Sequence, residues 1–172
     1  MLRRATLILT LLAALPGSGC GFRMQGAATL PAGVHSVHVS TRDELSAFSV
    51  ELFRAIDRAG AERATGAGTA DAVIRVQHDR TGRRVLSVSA RNTPQEYEVF
   101  YEVEYSIDRG GTQVLPLQKI ELTRNFSFDE SLLLAKDHEE QILRDALARD
   151  LAVLVLRRLE SLPPVAPSGP SR

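Results

Sequence analysis

Residues 99–111 read Val-Phe-Tyr-Glu-Val-Glu-Tyr-Ser-Ile-Asp-Arg-Gly-Gly. Val99, Tyr101, Val103, Tyr105 and Ile107 alternate with Glu102, Glu104 and Ser106. Strand side chains point to opposite faces in turn, so this stretch sets one apolar face on a core and one polar face outward. Asp108-Arg109-Gly110-Gly111 then signals a tight hairpin, because its glycines accept positive φ at no steric cost. The return strand carries Ile120, Leu122, Phe126 and Phe128 on one face. Upstream, Ile74, Val76 and His78 share one parity, as do Leu86, Val88 and Ala90. Thr81-Gly82, between those two sets, is the expected bulge or twist point. Thr93-Pro94 marks the other hairpin end, so three strands follow one another in one sheet.

Outward from this sheet the periodicity changes. Val34 to Ser40 alternates weakly and reads as a first strand. Asp43 or Ser46 caps a helix to about Ala59, with Leu45, Phe48, Leu52, Ala55, Ile56 and Ala59 at helical spacing and Gly60 as its stop. A long helix is predicted from about Ser131 to Leu162. Leu143, Leu147, Leu151, Leu154 and Val155 form its stripe, widened by Ile142, Ala146 and Leu159. Asp129 and Glu130 near its start and Arg157 and Arg158 near its end suit the helix dipole, and Pro163-Pro164 ends it. The order β-α-β-β-β-α predicts an α+β fold over residues 34–162: a two-layer sandwich, two helices packed on a four-stranded mostly antiparallel sheet.

The start of the chain has a different character. Arg3-Arg4 precede an apolar run of 11 residues, Ala5 to Leu15, too short to span a bilayer. Pro16-Gly17-Ser18-Gly19 then lead into Cys20, the only cysteine. Residues 1–19 read as a lipoprotein signal peptide, with Cys20 the lipid-acceptor residue. Gly17 stands where lipoproteins usually carry leucine, and an ordinary signal peptide with an incidental cysteine is the alternative. Residues 20–33, rich in glycine, form the expected tether. Residues 163–172, rich in proline and serine, form an expected disordered tail. Removing residues 1–19 takes away Arg3 and Arg4 from 21 basic residues against 21 acidic ones, leaving a charge of about −2. No basic excess points to nucleic acid. No disulfide is available to a chain with one cysteine.

Few constellations could carry chemistry. His35 and His38 are an odd number apart on a strand, so they point to opposite faces and cannot chelate together. Asp137 and His138 are helix neighbours whose side chains diverge. Glu102 and Glu104 share a strand face, but Glu96 and Glu98 continue the series, which reads as a solvated polar face. No nucleophile elbow, phosphate loop or catalytic cysteine is present. No enzyme activity, metal or cofactor is expected. The basic residues Arg80, Arg83, Arg84 and Arg91 lie on or beside one strand, with Arg124 near the end of the last strand. Arg91 precedes a hairpin turn and Lys136 opens the long helix, so both are expected at one end of the domain. Two readings stand: scattered solubilising charge, or a site for phosphate-bearing ligands.

Three stretches carry a resemblance. They are Cys20-Gly21-Phe22-Arg23-Met24 after the signal, Ala90-Arg91-Asn92-Thr93-Pro94-Gln95-Glu96-Tyr97 entering a strand, and Phe126-Ser127-Phe128-Asp129 followed by Leu134-Ala135-Lys136-Asp137-His138-Glu139-Glu140. Together they resemble the LptE family, lipopolysaccharide-assembly lipoproteins of Gram-negative outer membranes. The resemblance implies a two-layer domain seated inside the LptD β-barrel, which it plugs and helps assemble. It further implies lipopolysaccharide binding, with Arg91 and Lys136 facing the ligand. Gly21, where aspartate is absent, implies the outer membrane, with the domain anchored on its periplasmic face. The competing reading is an accessory or scaffolding lipoprotein of another envelope lipid transporter, which would need an open lipid groove.

Overall fold

Three long antiparallel strands carry the fold in the computed structural model, which describes residues 30–128 and 133–163. They are β3 (Ala72–Val88), β4 (Pro94–Arg109) and β5 (Thr112–Ser127). Ahead of them come β1 (Ser36–Ser40), helix α1 (Ala47–Arg58) and β2 (Glu62–Arg63); helix α2 (Leu133–Glu160) closes the order. The sheet order is β2-β1-β3-β4-β5. β1 runs parallel to β3, and α1 supplies the crossover that parallel pairing needs.

The α+β two-layer reading stands, with one correction of strand count: the sheet has five strands rather than four. The addition is β2, two exposed residues paired in parallel with β1 as the chain leaves α1. Glu62 N–H donates to His35 O at 2.9 Å and Ala64 N–H to Val37 O at 3.0 Å. Two polar residues carry no periodicity to read.

The 99–107 alternation holds. Val99, Tyr101, Val103, Tyr105 and Ile107 are all buried beneath the helices. Gly110 and Gly111 take φ of 55° and 78°, the left-handed pair that a two-residue hairpin requires. Ser46 caps α1, its hydroxyl accepting from Ser49 N–H at 3.1 Å and donating to Asp79. Tyr101 OH accepts from Phe48 N–H at 3.1 Å, which ties the start of α1 to the middle of β4. Burial raises the Tyr101 pKa, and Asp79 beside it acts in the same direction.

Three details correct the sequence reading. β3 is one strand with register shifts at Val76/His78 and between Val85 and Val88, whereas Thr81 and Gly82 pair in unbroken register with Tyr101 and Phe100. The first shift turns His78, with Glu104, to the face that no described helix covers, hereafter the uncovered face, while Leu86 and Val88 lie exposed. On α2, Ile142 and Leu154 face outward, and Ala148, Ala152 and Leu156 take the buried positions beside Leu147, Leu151, Val155 and Leu159.

Candidate functional site

The sheet has a base and a far end. At the base, Val37 pairs with Ala72 and Ala72 with Arg109. Asp71 accepts from the N–H groups of His35 and Ser36 at 2.8 and 2.9 Å, and those donors hold its carboxyl below the usual range. Buried Arg109 donates to Pro163 O at 3.1 Å, so both ends of the described chain meet here. Leu30, in the last part of the expected tether, packs against the core, and Val34 N–H closes a turn on Pro31 O. Residues 1–29, with the expected signal peptide and Cys20, and 164–172, most of the expected tail, lie outside the described residues.

The far end lies roughly 50 Å away, the length of a 17-residue strand. Here β3 turns into β4 through Ser89–Thr93. Ser89 N–H donates to Thr93 O at 2.8 Å, and the Ser89 hydroxyl accepts from Arg91 N–H and Thr93 N–H at 3.2 Å each. Asn92 takes φ 61°, a conformation its short amide tolerates. Arg91 is therefore in the turn, exposed, and has no ion-pair partner among the described residues. It lines an open cleft of about 600 Å³ with Ser89, Thr93, Pro94, Gln95 and Phe128.

Lys136 reaches the same end. Phe128 N–H donates to Gln95 O at 2.8 Å, so β5 ends beside the start of β4, and α2 begins a few residues later. Unlike Arg91, Lys136 is largely covered and bonds Glu139 at 2.8 Å. Both lie towards this end of the sheet, but Lys136 is not in the described lining of the Arg91 cleft and the two residues have different surroundings.

The other basic residues singled out by the sequence, Arg80, Arg83, Arg84 and Arg124, are paired. On the helix side, Arg83 binds Glu140 at 2.8 Å and stacks over Tyr97 at 4.9 Å. Tyr97 in turn stacks on Phe126 and meets Phe128 edge-on. On the uncovered side, Arg80 grips Glu102 with two hydrogen bonds at 2.9 and 3.1 Å, and Lys119 adds a contact at 2.7 Å. Arg84 reaches Glu121 at 2.8 Å and Glu98 at 3.2 Å. The guanidiniums of Arg84 and Arg80 lie 4.2 and 5.7 Å from the Phe100 ring centre. Arg124 pairs with Asp150 at 2.7 Å.

The expected solvated carboxylate face needs correcting at Glu102. It is only 3% exposed, covered by two long cationic side chains rather than lodged in the core. The hydrogen bonds from Arg80 and Lys119 hold its carboxyl down to about 2. Single-strand parity places Glu102 on a polar face but cannot show which cations arrive from β3 and β5.

The histidines make no shared site. His38 Nδ1 bonds Ala64 O at 2.9 Å, and His35 and His138 are exposed. The described residues hold no helix long and apolar enough to cross a membrane, which leaves strand-built spans unaddressed. The aromatic cluster under Arg83 had a faint signal in the shared parity of Phe126 and Phe128. Its partner Tyr97 emerges only from the cross-strand register.

Comparison with curated proteins gives no match. Among solved structures, lipoprotein B from Nitrosomonas europaea is similar at 27% identity and TM-score 0.69, covering 82% of this chain and 91% of that one. The rare lipoprotein B of Shewanella oneidensis shares the fold at 24% identity and TM-score 0.66, covering 73% and 94%. A minor lipoprotein of Acinetobacter baumannii does so at 18% identity and TM-score 0.63, covering 80% and 100%. The LptE family, described as lipopolysaccharide-assembly, matches residues 34–159, which run from just before β1 almost to the end of α2. The chain belongs to the LptE lipopolysaccharide-assembly family.

Proposed function

We propose that this chain is an outer-membrane lipoprotein, anchored on the periplasmic face through Cys20, that plugs the LptD β-barrel, helps it assemble, and binds lipopolysaccharide at the end bearing Arg91 and Lys136. The observation that carries the ligand reading is Arg91: an exposed guanidinium, unpaired among the described residues, beside a cleft whose described lining holds no carboxylate. Guanidinium groups bind phosphates bidentately, and lipid A carries phosphates.

Two further features support the reading. The described chain begins at the base, at the opposite end of the sheet from Arg91. The uncovered sheet face offers a broad polar surface of paired charges, Arg80, Glu102 and Lys119 with Arg84, Glu98 and Glu121. Such a face suits the polar lumen of a large barrel better than a lipid surface. The family places the work in lipopolysaccharide assembly, and the chain acts there by binding and positioning.

The test is Arg91→Asp with Lys136→Asp in the full chain co-expressed with the barrel. Reversal replaces attraction with repulsion against phosphates. Lipopolysaccharide binding is expected to fall at least tenfold, while the barrel still co-purifies. A folded double variant that binds lipopolysaccharide like the parent overturns the site. Failure of the parent to recover any barrel overturns the plug.

A further inference from the structure

The far end is also where apolar side chains surface. β1 pairs with β3 only from Val37–Ser40 against Ala72–Arg75, after which the chain leaves for α1. From Gln77 onward β3 has β4 on one side and, among the described residues, no strand on the other. On its last stretch Val85, Leu86 and Val88 are 51, 47 and 50% exposed, and Leu134 in the first turn of α2 is 86% exposed. Eight large apolar side chains are exposed among the described residues, and half of them are these four. Singly exposed leucines are ordinary. Three close together on one strand end, beside an arginine with no ion-pair partner among the described residues, are a feature of that end.

We infer that Val85, Leu86 and Val88 form the acyl-chain contact for the phosphorylated glycolipid whose phosphate Arg91 takes, so that one tip reads both halves of an anionic amphiphile. The inference rests on the lipopolysaccharide reading above and extends it from headgroup to acyl chains. Two observations select this occupant. Cation and apolar residues are close in the chain: Arg91 follows Val88 by three residues, across a turn closed by Ser89. The cleft it lines holds no carboxylate among its described residues, which favours an anion over a basic peptide. An added protein strand is the other candidate for a free sheet edge. Here the ladder register breaks between Val85 and Ser87 and again between Ser87 and Val88. Bulges of this kind twist an edge and disfavour strand addition, whereas flexible acyl chains need no register.

Acyl chains would cover the strip and lose water, a gain roughly proportional to the apolar area removed and insensitive to salt. The phosphate contact at Arg91 would weaken as salt rises. The two halves therefore separate experimentally. Val85→Ser/Leu86→Ser/Val88→Ser in the full chain is titrated with lipopolysaccharide and with its fully deacylated, still phosphorylated saccharide. The triple variant is expected to bind lipopolysaccharide about tenfold more weakly than the parent, with the deficit unchanged by salt, and to bind the deacylated saccharide equally well. A second variant, Leu134→Ser, is expected to show a smaller deficit of the same kind. Equal lipopolysaccharide binding by a folded triple variant and the parent overturns the acyl contact and leaves the Arg91 reading intact. Loss of barrel co-purification in the triple variant, with lipopolysaccharide binding retained, reassigns the strip to a protein strand and overturns it too. A parent that binds neither probe overturns the lipopolysaccharide reading itself.

Discussion

At the base of the sheet, β1 and β2 widen it to five strands, and α1 packs with α2 above it. Val37, Ile74 and Ile107 on the strands and Phe48, Leu52 and Ile56 on α1 are fully enclosed there. At the far end only β3, β4 and β5 remain among the described residues. The opening turns of α2 lie over them with Leu134 and Ile142 outside and, among the side chains described there, a single buried one, Glu140, which pairs with Arg83 and Arg144. One end is held by apolar burial and the other by charge pairs, aromatic stacking and a long ladder. Burial of an aliphatic side chain contributes roughly 1.5–3 kcal/mol, whereas an exposed ion pair contributes about 0–1 kcal/mol. The base therefore supplies the stability, and the far end can present unsatisfied chemistry without unfolding the domain.

The comparison breaks most readily at Ile107. It sits opposite Ile74 and Leu115 in the register and is 0% exposed. Ile107→Ala removes buried methyl groups and leaves a cavity, costing about 2–5 kcal/mol. Chemical denaturation of the parent and variant measures the difference. A cost under about 1 kcal/mol would mean that the base core is not the main support.

Between the two ends, Gly82 tests how the uncovered face is packed. A Cβ built there would lie 2.8 Å from Cε1 and Cζ of Phe100. The ring lies over the glycine with Arg80 and Arg84 beside it, so displacing it disturbs both guanidinium contacts. Gly82→Val should raise local strand propensity yet destabilise by about 1–3 kcal/mol through overpacking. Phe100→Ala in the same chain should recover part of the loss, and strictly additive effects would show that the two residues do not meet.

Much of the base was legible in the sequence, and less of the far end. The period-2 alternation of 99–107 and the helical spacing of Phe48, Leu52, Ala55 and Ile56 each report one buried face, and burial dominates there. The stripe of α2 misassigned Ile142 and Leu154 because that helix is apolar on more than one side. At the far end, the shared parity of Leu86 and Val88 cannot tell a covered face from an uncovered one, and both lie exposed. An approach of Arg91 and Lys136 towards one end was readable from topology, since one precedes a hairpin turn and the other follows the last strand. The pairing of Lys136 with Glu139, and the lack of a described partner for Arg91, depend on rotamers that no spacing encodes.

Glu102 gives the smallest expected effect and the sharpest contrast with the base. Its ordinary carboxyl value is 4.5, and the hydrogen bonds from Arg80 and Lys119 lower it to about 2 in the folded chain. A carboxyl whose folded value is depressed stabilises the fold when ionised. That contribution is complete above about pH 4.5 and is lost as pH falls towards 2. Arg80 and Lys119 are themselves more than half exposed, so water and salt screen the pairs and the contribution stays modest. Thermal unfolding of the parent and Glu102→Gln between pH 2 and 5 measures it. The parent should lose more stability than the variant across that window, and the gap between their slopes should narrow at high salt. Asp71 also has a lowered carboxyl value, held by backbone N–H groups at the base, so its share of the acid loss should persist in the Gln variant. Parallel curves for parent and variant would mean that the uncovered face adds nothing through this cluster, leaving β3–β4 pairing and aromatic stacking to hold the far end.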